Sequence, residues 1–225
     1  MKSNHYNHKI TTQLIMAVSV TFVFVLVAFL VSVTPKVNAS FEQNNGSVNV
    51  FIGDISRAPD GYVDSRMQDL QQMALSVPKE HVSAVVGFNR YCTKDEIQRL
   101  VSSADDSCLE RVYMWTEGDT GRLSLYIGGK TIEEGISDYK NQVDKNSLNN
   151  DIQFSADYQR FLNGEFGIFA ITISCSAESL CKLAQEYDII EYVDIKHNKD
   201  AEDYAISKGF KVNYIELPSK PDGTL

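Results

Sequence analysis

The eight residues from Trp115 to Arg122 (Trp-Thr-Glu-Gly-Asp-Thr-Gly-Arg) contain the chain's single tryptophan, two carboxylates and a guanidinium. An indole offers a flat apolar face, and Glu117, Asp119 and Arg122 add charged hydrogen-bonding groups, a combination that suits a sugar. The oxygen-bearing side chains alone would suit a calcium ion. The stretch lacks the Asp-x-Asp-x-Asp-Gly order and bidentate glutamate of a calcium loop, so the competing reading is a plain turn between two strands. Trp115, Glu117, Asp119 and Arg122 are the ligand-loop candidates, and no metal or other cofactor is expected.

Four cysteines, Cys92, Cys108, Cys175 and Cys181, come next, with no Cys-x-x-Cys among them. That spacing speaks against a thioredoxin-type redox pair or a zinc knuckle. If the sheet is built as argued below, the start of one strand brings Cys108 near Cys175 at the end of its neighbour, as a disulfide requires. Cys181 is then a buried thiol or a competing partner for Cys108. Four free cysteines are the alternative. After residue 40 only His81 and His197 remain, neither with a partner at metal-ligand spacing, and no Gly-x-Ser-x-Gly, Ser-x-x-Lys or His-Glu-x-x-His occurs. Of the carboxylate clusters, Glu133-Glu134 and Asp200 to Asp203 fall in the first turns of predicted helices, where acids complement the helix dipole. No catalytic residue is expected.

These groups are positioned by an alternation of strands and helices. Strands are predicted over 48–52, 82–88, 109–115, 123–127, 166–173, 189–195 and 211–217, and helices over 59–77, 93–104, 131–145, 151–163, 176–187 and 199–208. Thr93-x-x-Glu96 is a capping box that opens the second helix. The stretches 82–115 and 166–195 each run strand, cysteine, hydroxyl N-cap, helix, strand, an internal repeat if their similarity exceeds the generic pattern. Two such units make an α+β fold with a ferredoxin-like, mainly antiparallel sheet and helices on one face.

Ahead of this domain, residues 14–33 carry no charge, enough for a helix to cross a bilayer. Lys2 and Lys9 precede the segment, which keeps residues 1–13 cytoplasmic and sends the rest outward. The expected organisation is a short tail (1–13), a transmembrane or signal helix (14–33), a tether (34–47) and an extracytoplasmic domain (48–225). Either the segment stays as a single-pass anchor in the cell membrane, or cleavage after Ala39 releases a secreted protein. The formal charge is -9, and the first 39 residues hold three lysines and no acid, so the remainder stands at -12. Such a surface repels phosphate backbones, and nucleic acid is excluded as an expected partner.

The residues Val82-Ser-Ala-Val-Val-Gly-Phe-Asn-Arg-Tyr-Cys-Thr-Lys-Asp-Glu-Ile97, followed by a strand ending at Trp115, resemble the extracytoplasmic C-terminal domain of Firmicute sigma-factor regulators. The resemblance implies an extracytoplasmic sensor or anti-sigma-like protein. The chain departs from that pattern in an N-terminal tail too short to hold a sigma factor, and its general look is that of a Gram-positive envelope protein. From the residues themselves, the first expectation is a non-catalytic binding module of the envelope whose partner is a protein or another envelope component. A carboxylate-dependent hydrolase acting on envelope sugars is the third reading.

Overall fold

A computed structural model describes residues 41–44, 46–116, 122–145 and 156–222. In chain order the elements are β1 (Phe41–Asn44), β2 (Ser47–Ile52), α1 (Tyr62–Ser76), β3 (His81–Cys92), α2 (Lys94–Ser102), β4 (Cys108–Trp115) and β5 (Arg122–Tyr126). They continue as α3 (Ile132–Lys145), α4 (Ala156–Leu162), β6 (Gly167–Ser176), α5 (Ala177–Glu186), β7 (Ile190–Ile195), α6 (Lys199–Lys208) and β8 (Lys211–Glu216). The fold is α+β with mainly antiparallel sheets.

Helix starts follow local chemistry. Thr93 and Glu96 close the capping box on α2, each side chain satisfying a backbone N–H of the other. Thr131 and Glu134 do the same for α3, a second box of identical spacing that the sequence reading passed over. Ser176 and Asn198 accept from Ser179 N and Ala201 N to cap α5 and α6.

Five strands form one sheet in the order β5-β4-β6-β3-β7, with every neighbouring pair antiparallel. β3 and β4 therefore run parallel with β6 between them, and β6 and β7 run parallel with β3 between them. Central β6 is apolar on both faces because both are covered. Ile168, Ile171, Ile173 and Cys175 join a core with Ile97 and Leu100 of α2 and Leu180 and Leu183 of α5, to which α1, α3 and α4 also contribute. Phe169 and Ala170 join a second core on the other face.

That second core is closed by a three-stranded sheet, β1-β2-β8, in which β2 pairs antiparallel with β1 and parallel with β8. The parallel register runs from Ser47 opposite Lys211 to Ile52 opposite Glu216. Val48, Val50 and Ile52 alternate inward along β2 and meet Val85, Tyr113, Phe169, Tyr192 and the Ala201 and Ala205 positions of α6.

Two expectations change. The stretch 34–47, read as a tether because residues 40–47 are polar and turn-forming, contributes β1, since a strand on a sheet edge needs backbone pairing more than apolar side chains. Helices do not cover one face alone: α1 to α5 line one core, while α6 and the small sheet close the other. The predicted tail and apolar segment, 1–33, and the first part of the helix predicted over 151–163 lie outside the described residues. No helix among the described residues is long and apolar enough to cross a membrane.

Candidate functional site

Trp115 ends β4 and Arg122 begins β5, and the two are register partners across the antiparallel pair. They line a cavity of about 450 Å³ together with Phe169 of β6, residues 54–57 that follow β2, and residues 217–222 that follow β8. The C-terminal segment is held there by its backbone: Leu217 N donates to Ile52 O at 2.9 Å and Ser219 N to Gly53 O at 2.8 Å, continuing the β2–β8 pairing past the strand ends.

Cations in this cavity rest on aromatic faces. Lys220 Nζ stands 4.0 Å above the centre of the Trp115 ring. The Arg122 guanidinium lies 5.6 Å from the centre of Phe169, and its Nη2 donates to Pro218 O at 3.1 Å. Arg57 and Asp54 form an ion pair at 3.6 Å, and Ser56 Oγ also donates to Asp54. Among the described residues no carboxylate forms an ion pair with Arg122 or Lys220. Of the four ligand-loop candidates, Trp115 and Arg122 thus meet in one cavity, while Glu117 and Asp119 lie outside the described residues. Lys220, Arg57 and Asp222, the other charged groups of the lining that sequence reasoning missed, sit far from Trp115 in the chain and carry no local signal.

A second polar cluster occupies the sheet face beside the second core. Glu216 at the end of β8 accepts from Thr172 Oγ1 at 2.9 Å and from the Tyr113 hydroxyl, and pairs with Lys196 Nζ at 2.5 Å. Lys196 Nζ is also 3.4 Å from Glu110 Oε2, which accepts from Ser83 Oγ. Burial raises the Glu216 pKa, but the hydrogen bonds from Lys196, Tyr113 and Thr172 outweigh it and hold the carboxyl below its ordinary range. Burial, followed by the Glu216 carboxylate, pushes the Tyr113 hydroxyl above the usual phenol range. One ammonium thus contacts both carboxylates.

A third cluster is buried. Asp194 of β7 accepts from Arg66 Nε at 2.8 Å, from the Tyr62 hydroxyl at 2.8 Å and from Gly53 N at 2.7 Å. Arg66 also donates to the carbonyls of Ile195 and His197 and to Asp69. These bonds tie α1 and the end of β2 to β7. Asp194 thus accepts three hydrogen bonds and Arg66 donates four, a cluster that braces the fold.

The strand ends expected to approach do so: Cys108 is the register partner of Ser174, beside Cys175. Both cysteines are free thiols, Cys108 exposed and Cys175 buried in the helix-covered core, and Cys92 and Cys181 are buried thiols as well. Burial pushes the Cys175 thiol up to about 12 and Cys92 up to about 11. His81 is 3.8 Å from Asp106, and His197 is 3.2 Å from Glu202. No group of three metal-ligating side chains occurs among the described residues. No protein family, curated protein or solved structure matches the chain.

Proposed function

We propose that the chain is a non-catalytic binding module of the cell envelope, brought to the outer side of the membrane by residues 14–33. Those residues either hold it there or are cleaved after Ala39. Its core is ferredoxin-like, two strand-helix-strand units (β3-α2-β4 and β6-α5-β7) interleaved in one sheet, a rigid platform from which loops can present a site. The observation that carries the reading is the cavity: Trp115 and Arg122 converge with Lys220, Arg57 and Phe169 in a space of ligand size.

The hydrolase reading finds no support at Glu110 and Glu216, where the Lys196 ammonium pairs with both carboxylates; it would be abandoned if no two carboxyl groups faced each other across a cleft within about 5–10 Å. The regulatory reading rests on the resemblance of 82–115 to sigma-factor regulators. It would be abandoned if residues 39–225, expressed without the apolar segment, complemented a deletion. The binding reading is tested by two measurements. Protease added to intact cells should digest the chain beyond residue 40, and isolated envelope polysaccharide should retain residues 39–225, which form one compact unit, but not their Trp115→Ala variant. A protease-protected chain in the cytosol, or retention equal in the variant, would overturn it.

A further inference from the structure

We infer that the Trp115–Arg122 cavity takes a small monoanion, a carboxylate carried on a ring-sized body such as an acidic monosaccharide; this rests on reading the cavity as a binding site. Among the described residues three cations (Arg57, Arg122, Lys220) and two carboxylates (Asp54, Asp222) line it, and Arg57 is already paired with Asp54. Arg122 and Lys220, which have no carboxylate partner among the described residues, suit one carboxylate, and Asp54 and Asp222 in the same lining disfavour the second charge of a phosphate.

The groups that would meet the carboxylate are already oriented. Arg122 has one Nη2 hydrogen bond to Pro218 O and its flank toward Phe169, so the guanidinium is fixed with donors left for a bidentate contact. Lys220 sits on the indole, an attraction that persists only while nothing better displaces it. A ring-bearing ligand gains on both counts, since its anion draws Lys220 off the indole and its body takes the vacated apolar face. The volume of about 450 Å³ fits a single sugar ring with its hydration.

Trp115 is the only tryptophan, so tryptophan emission excited beyond the tyrosine absorption band reports this site alone. Titration of residues 39–225 with D-glucuronate should give a saturable change in emission and a matching calorimetric isotherm. D-glucose, identical except for the carboxylate, should give neither, and inorganic phosphate should bind at least tenfold more weakly. Arg122→Gln and Lys220→Gln should each weaken glucuronate binding tenfold or more, whereas Lys182→Gln, the same charge change on an exposed position of α5, should not. Equal binding of glucose or phosphate, an unaffected Arg122→Gln variant, or no binding by either method would overturn the inference. Retention on envelope polysaccharide that persists without glucuronate binding removes only the ligand class; loss of both removes the binding reading too.

Discussion

Asp194 receives three donors in a place that water does not reach, and its nearest cation, Arg66, is 128 residues away in the chain. Removing one partner of such a pair strands the other as an uncompensated buried charge. Asp194→Ala should therefore lower unfolding stability by about 3–5 kcal/mol, read from urea denaturation at neutral pH; a loss below about 1 kcal/mol would mean that the pair is solvent-accessible. The periodicity of α1 does not foretell this. Val63, Met67, Leu70 and Ala74 mark an apolar face, and Arg66 beside them reads as a solvated neighbour until β7 supplies its carboxylate. Cysteines make a second prediction at this scale. A thiol reagent at pH 8 should label Cys108 within minutes, and Cys92, Cys175 and Cys181 only after denaturation, because the thiolate is the reactive form and burial keeps it unpopulated at Cys92 and Cys175. Zero labelled thiols before reduction and one or more afterwards would instead reveal a disulfide at Cys108.

Individual elements are where local rules hold best. The α2 capping box is complete, and Thr93→Ala should cost about 1 kcal/mol. Glu96 is held down to about 2 by the hydrogen bond from Arg90, with further help from the Thr93 backbone and hydroxyl. A carboxyl with a folded-state pKa below its unfolded value stabilises above the unfolded pKa and loses that contribution as pH falls through the folded one. The Glu96 contribution should accordingly be full at neutral pH and fade between about 4.5 and about 2, modestly, because solvent screens the side chain. Glu96→Gln and wild type should converge in stability toward pH 2, as the Glu96 carboxyl becomes neutral; a gap that stays constant would show that its charge takes no part in the cap. Thr131-x-x-Glu134 was equally legible by the same spacing. β1 was not, because its pairing is made by backbone and its side chains are those of a turn.

Across the whole molecule, contacts distant in sequence decide the architecture. A Cβ built on Gly87 would lie 2.0 Å from the Tyr192 ring, so glycine lets β7 lay that ring across β3. Gly87→Ala should destabilise by about 1–3 kcal/mol, and by much less in a Tyr192→Ala background, where the space is open; equal costs in both would refute the steric account. Element order from β2 onward, the two strand-helix-strand units, the helix caps and the chemical promise of Trp115 and Arg122 were all written locally. Apolar periodicity and hydrogen-bonding side chains act over a few residues, and the sequence displays them directly. The parallel closure of β2 by β8, the burial of Arg66 against Asp194 and the arrival of Lys220 over Trp115 were decided only by the tertiary structure. Each joins surfaces more than a hundred residues apart, and such pairings depend on which faces remain uncovered once all other elements have packed, a property that no single stretch of chain carries.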